Sequence, residues 1–254
     1  MPWRLETIRA TVFAPDINAL GLPDWQTLTR TPPRQILNSP QDDGTVESGP
    51  FMGQWLTMGR ARRPVRGPGR ADLILAPPQP TVVVPLADPF QERIEPAAIG
   101  PFPTTFQQFI GHARRWLSTD ANVKRLALAC TLWEPASTSD EALKILLPNI
   151  RSLIKESDDR IIDFLVQLNR PLESQVNPLI TINRFARWST RIVEIVLPTR
   201  NIMSQPPTIR SPRAQADLDI STAGEADIAG GQIPAHLDEL AALLRDIAEK
   251  GDTP

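Results

Sequence analysis

Residues Arg160–Val196 read RIIDFLVQLNRPLESQVNPLITINRFARWSTRIVEIV, and the periodicity of this stretch decides the fold. Two segments alternate apolar and polar side chains and each ends in Asn-Arg, at Asn169-Arg170 and Asn183-Arg184. A third, Arg191–Leu197, completes the set. Alternation with a period of two sends successive side chains to opposite faces of a strand. Ile162, Phe164, Val166 and Leu168 then make one apolar face, with Asp163, Gln167 and Asn169 opposite. On the next strand Ile180 and Ile182 are apolar, while Thr181 and Asn183 are polar. Antiparallel pairing through the loop 171–178 gathers Asp163, Gln167, Asn169, Thr181 and Asn183 on one surface, the candidate site for a ligand or partner.

Upstream, Val123–Trp133 also alternates. Leu126, Leu128, Cys130 and Leu132 face one way, and Arg125, Ala127, Ala129 and Thr131 the other. The second face carries small side chains that leave space above the sheet, and Arg125 joins the candidate surface. Phe106, Phe109, Ile110, Ala113, Trp116 and Leu117 form one stripe at helical spacing, predicting a helix over 104–117. Thr138 and Glu141 have the spacing of a capping box, which opens a helix that Pro148 should kink or end. Near the start, Trp3–Phe13 predicts a strand and Pro23–Arg30 a short helix; 31–50, with four prolines, reads as irregular. Short strands follow at 51–58, 72–76 and 81–86.

The body thus repeats strand, helix, strand, strand. The expected fold class is α+β: two βαββ units with mainly antiparallel sheets, plus a flexible linker and a C-terminal amphipathic helix. The first half spans 1–100 and includes a basic loop at 59–70; the second spans 101–198. Residues 199–233, rich in Pro, Ser, Ala, Gly and Asp, are expected to be the linker. In 234–254 Leu237, Leu240, Leu244 and Ile247 form the helix's apolar stripe, expected to dock on a partner through the long tether.

Composition narrows the function classes. The 254 residues carry a net charge of −2, but residues 211–254 hold nine acids against three bases, which leaves a mildly basic body. Cys130 is the only cysteine, so no intrachain disulfide forms and no cysteine-based zinc site exists within one chain. The two histidines, His112 and His236, do not suggest a paired metal site, and no metal or cofactor is expected. MPWRLETIRATVF has charges where a signal peptide needs an apolar run, and no apolar stretch approaches the roughly 18 residues of a span. A cytoplasmic protein without a membrane partner is expected. There is no phosphate-binding glycine loop and no nucleophile elbow, so no catalytic set assembles. Arg60, Arg62, Arg63, Arg66 and Arg70 are candidate phosphate contacts, although aromatic residues do not interleave them.

The helix Phe106–Trp116, the strand Lys124-Arg125-Leu126-Ala127-Leu128 and the segment Ile182-Asn183-Arg184-Phe185 together resemble a sporadically distributed, uncharacterised bacterial family with a paired βαββ body. The resemblance spans roughly residues 3–197 and implies no established activity. The same element order is similar to small-molecule-binding modules related to gyrase inhibitory proteins. Their sheets cup apolar or cationic ligands between two halves, an analogy of fold only. The expected function is a non-catalytic binding module acting with a protein partner, such as the product of a neighbouring gene. The alternatives are a nucleic-acid-associated accessory protein using the Arg60–Arg70 loop and a small-molecule sensor binding between the halves.

Overall fold

The computed structural model describes residues 3–39, 44–61, 68–78, 98–150, 164–196, 208–224 and 226–252. Among them, eleven strands form one antiparallel sheet. In chain order the elements are β1 (Arg4–Ala14), α1 (Trp25–Thr29), β2 (Gln35–Ser39), β3 (Gly44–Phe51), β4 (Gln54–Ala61), β5 (Gly69–Ala76), β6 (Gly100–Pro101) and α2 (Phe102–Trp116). Then come β7 (Arg125–Pro135), α3 (Ser139–Ile150), β8 (Leu165–Asn169), β9 (Leu172–Glu173), β10 (Thr181–Val196), β11 (Thr208–Thr222) and α4 (Ile233–Lys250). The strand order is β2-β3-β4-β5-β1-β7-β11-β10-β8, with β6 on β1 and β9 on β10.

This corrects the expectation of two βαββ units. The halves do not close as separate sheets. They join edge to edge where β1 pairs with β7, from Arg4 opposite Trp133 to Phe13 opposite Arg125. The expected linker is corrected as well. Its second part is β11, a central strand between β7 and β10. Ala214, Ala216, Leu218 and Ile220 are buried on one face of β11 and alternate with Gln215, Asp217, Asp219 and Ser221. Low β-propensity is overridden because alanine lets helices lie close above a strand bonded on both edges. Residues 31–50, expected to be irregular, hold β2 and β3. The expected strand at 81–86 lies outside the described residues.

Helices cover one face of this sheet. α2 packs on β1, α4 on β7 and β11, and α3 on β10 and β11. Local sequence explains their ends. The Asp24 carboxylate accepts the Thr27 N–H at 2.7 Å and caps α1. Thr138 Oγ1 accepts the Glu141 N–H at 3.1 Å, and Glu141 reaches back to the Ser137 N–H. Pro148 lies inside α3, near the end of its described residues. α4 ends at Gly251, whose φ of +77° suits glycine. A Cβ there would sit 2.3 Å from the Asn149 carbonyl oxygen at the end of α3. The Asp252 N–H donates to that same oxygen.

The two helices that flank the β1–β7 junction are built alike. Phe102, Pro103, Phe106, Phe109, Ala113 and Trp116 in α2 correspond to Ile233, Pro234, Leu237, Leu240, Leu244 and Ile247 in α4. Their contacts are reciprocal: Arg114 binds Asp238, and the equivalent Arg245 binds Gln107, the equivalent of Asp238. The halves are therefore related by an approximate two-fold axis through the junction. The repeat is larger than the one expected from the sequence: β1-α1-β3-β4-β5-α2 corresponds to β7-α3-β8-β10-β11-α4, with β2, β6 and β9 outside the correspondence.

The stripe expected to dock on a partner is thus core. Leu237, Leu240 and Leu244 are completely buried, and each such side chain contributes about 1.5–3 kcal/mol by leaving water. Replacing Leu240 with alanine should lower unfolding free energy by about 2–5 kcal/mol, measured by chemical denaturation. Removing residues 208–254 should abolish cooperative unfolding, because β7 loses its second strand partner and its helix cover together.

Candidate functional site

The sheet face opposite the helices holds the candidate site. Strand alternation places Thr7, Arg9, Thr11 and Phe13 of β1 on it, with Arg125, Ala127, Ala129, Thr131 and Trp133 of β7. Asp72 and Ile74 of β5 join from one side, Gln215, Asp217, Asp219 and Ser221 of β11 from the other. Asn183, Phe185, Arg187 and Ser189 of β10 and Gln167 and Asn169 of β8 extend it to the edge.

The pseudo-two-fold governs this face. Thr11 Oγ1 donates to Asp72 Oδ1 at 2.6 Å, and Thr131 Oγ1 donates to Asp217 Oδ1 at 3.0 Å. Each Asp lies directly across from its Thr in register, in the matching segments Ala71-Asp72-Leu73 and Ala216-Asp217-Leu218. Phe13 lies between the guanidinium groups of Arg70 and Arg125, at 5.9 and 5.4 Å from its ring centre. Trp133, its counterpart, lies between Arg4 and Arg213 at 5.1 and 5.8 Å. These pairs tie the outer parts of the face together.

At the axis the symmetry breaks. One row across the sheet runs Ile74, Arg9, Ala129, Asp219 and Phe185. Rotation would exchange Arg9 with Ala129 and Ile74 with Asp219. A long cation thus faces a methyl group, and an aliphatic side chain stands where the other half has a carboxylate. The small Ala129 leaves a recess of about 360 Å³, lined by Thr7, Arg9, Ile74, Thr131, Phe185, Asp217 and Asp219 among others.

Two carboxylates line the recess, and their environments differ. Asp217 accepts the Thr131 hydroxyl and both contacts of the Gln215 amide, at 2.9 and 3.0 Å. Gln215 is held in turn by Arg213, which pairs with Glu6 at 3.1 Å. Asp217 is therefore held by its own neighbours. Among the described residues Asp219 pairs with Arg9 alone, at 3.8 Å, and both side chains remain about a third exposed. Burial raises the Asp219 pKa above the usual carboxylate value, against the opposing charges of Arg9 and Arg125. Its negative charge is incompletely compensated.

Of the residues expected from the sequence, Gln167, Asn169, Thr181, Asn183 and Arg125 do share this face. They surround the recess and do not line it. Asn169 pairs in register with Phe185, not with Asn183, so the two Asn-Arg pairs are offset; the Arg170 N–H donates to the Arg184 carbonyl. Asp163 lies outside the described residues, as do Arg62, Arg63 and Arg66 of the basic loop. Arg60 and Arg70 do not form a common phosphate site. Arg60 turns to the helix side and donates to the Leu22 and Pro23 carbonyls, while Arg70 pairs with Asp72 at 2.7 Å on the opposite face. The sequence reading missed Arg9, Phe185, Asp217 and Asp219. Their signal was available in the alternation Ala214-Gln215-Ala216-Asp217-Leu218-Asp219.

A second polar cluster, Ser174, His236 and Glu239, contains the residue types of a nucleophilic set. Its bonding is that of a clasp. The Ser174 hydroxyl donates to Glu239 at 2.5 Å and accepts the Val176 and Asn177 N–H groups, while Glu239 also accepts the Gln175 N–H. Ser174 and His236 are buried, so the cluster fastens the β9–β10 turn to α4. Cys130 is buried too, and burial pushes its thiol pKa up, away from nucleophilic use. Among the described residues no group of three or more His, Cys, Asp and Glu could hold a metal ion. Among them also, no helix is long and apolar enough to cross a membrane.

Comparison with protein-family models, curated proteins and solved structures finds no match to this chain.

Burial holds the His236 pKa below its ordinary 6.5, outweighing the upward pull of Glu239. The folded protein prefers the neutral ring, so stability is full above pH 6.5 and is lost as pH falls through the lowered folded value. Denaturation midpoints measured between pH 7.5 and 5 should fall, and His236→Gln should flatten that fall.

Proposed function

We propose that this protein is a non-catalytic small-molecule-binding module whose ligand enters the recess between its halves. The ligand carries a protonated nitrogen and an apolar body. The observation that carries this reading is Asp219, a partly desolvated carboxylate with one long contact, beside the Phe185 ring and Ile74. A cation against a carboxylate and an aromatic face gains from both, the more so where water is reduced. Arg9 acts as an internal stand-in that the ligand's nitrogen displaces; exposed pairs of this kind are worth only about 0–1 kcal/mol. Thr7 and Thr131 supply hydroxyl groups to orient the bound molecule. Docking of a partner by the C-terminal helix is the less favoured alternative, since the helix would have to leave the core. The nucleic-acid reading is weakened in the same way by the internal commitments of Arg60 and Arg70.

The test is calorimetric titration with 2-phenylethylamine, using 2-phenylethanol as the neutral counterpart. The amine should bind more tightly, Asp219→Asn should weaken it at least tenfold, and Ala129→Phe should block both compounds. Because burial raises the Asp219 pKa and the cation needs its ionised form, affinity should decline as pH falls through that pKa. Equal binding of amine and alcohol, or an Asp219→Asn variant that binds the amine normally, contradicts the proposal.

A further inference from the structure

Among the described residues, the buried and half-buried arginines of the open face are, with one exception, engaged. Arg9 pairs with Asp219, Arg70 with Asp72 and Arg213 with Glu6, while Arg125 donates to Ser221 Oγ at 3.0 Å. The exception is Arg187 on β10. Its register neighbours are Gln167 on β8 and Asp217 on β11, and Asp217 is engaged by Thr131 and Gln215. The Arg187 Nε is shut off from water without a hydrogen-bond partner. Two residues along the same strand, and so on the same face, Ser189 is only 1% exposed, and its hydroxyl also lacks a partner.

Two orphan groups side by side are costly. A buried donor without an acceptor forfeits its hydration and receives nothing in exchange. Gln215, the register neighbour of Ser189 on β11, spends its amide on Asp217 and its oxygen on Arg213. Leu165, the neighbour on β8, has no polar side chain to offer. A single oxygen-bearing anion would satisfy both groups, since guanidinium and hydroxyl donors suit the two oxygens of a carboxylate. On the β8 side, Gln167 and Asn169 are exposed.

We infer that Arg187 and Ser189 form a carboxylate-binding subsite beside the recess, with the Gln167 amide at its mouth. This rests on the reading of the recess as the seat of an amine. Arg187 lies diagonally across from Asp219 through Phe185, a separation of roughly 7–8 Å between positions on neighbouring strands. A ligand holding its nitrogen against Asp219 can therefore reach Arg187 only with an acid a few bonds away. The class is an amino acid or a similar zwitterion with an apolar side chain.

The experiment compares phenylalanine with 2-phenylethylamine, which lacks only the carboxylate, by calorimetry on the full chain. Phenylalanine should bind at least tenfold more tightly. Arg187→Gln should erase that advantage while leaving the amine's affinity unchanged, and Ser189→Ala should reduce it severalfold. Melting curves of both variants, with Arg187→Lys as a charge-retaining control, establish that each is folded. If the amine binds through Asp219 but phenylalanine gains nothing, the carboxylate subsite is wrong and the recess reading stands. If phenylalanine binds through Arg187 while Asp219→Asn has no effect, the subsite stands and the amine reading falls. Binding of neither compound overturns both.

Discussion

Everything in this molecule depends on the pairing of β1 with β7. Taken alone, each half would leave one edge of an inner strand, β1 or β7, without a strand partner. A strand edge left open exposes a row of unpaired donors and acceptors. Joining the two edges removes both at once and produces one sheet whose middle strands are bonded on each side. It also brings α2 and α4 together, where Arg114 with Asp238 and Arg245 with Gln107 repeat one contact across the axis. The buried stripe of α4 and the alanines of β11 follow from that closure.

The same junction explains where a site can form. Away from the axis the repeated chemistry is self-satisfying: threonine to aspartate, and arginine to aromatic ring, on both sides. At the axis, equivalent side chains would meet each other at close range, and two arginines there would repel. Ala129 opposite Arg9 relieves that conflict and leaves a hollow. Asp219 in place of an aliphatic residue supplies the opposite charge. The asymmetry that makes the junction tolerable is the asymmetry that makes it chemically selective.

Much of this was legible in the sequence, and the failures have physical causes. The faces of β7 and of the β8–β10 hairpin were readable because alternation of large apolar and polar residues is a strong local signal. The small face of β7, read as space above the sheet, is the floor of the recess. β11 was lost because Ala214, Ala216 and the aspartates resemble a linker in composition, although their order alternates. Its strand character comes from two neighbours far away in sequence, which composition does not carry. Losing β11 then cost Asp217 and Asp219, and it made α4 look like a free helix on a tether. The amide-rich residues Gln167, Asn169 and Asn183 were placed on the correct face, but the centre of that face belongs to the junction.

The most direct test is a chemical-shift map of the full chain titrated with 2-phenylethylamine, read at backbone amides. The account predicts that the largest changes fall together on Arg9, Ala129, Thr131, Phe185 and Asp219, which come from four strands in both halves. Changes confined to one half, or centred on α4, would contradict it.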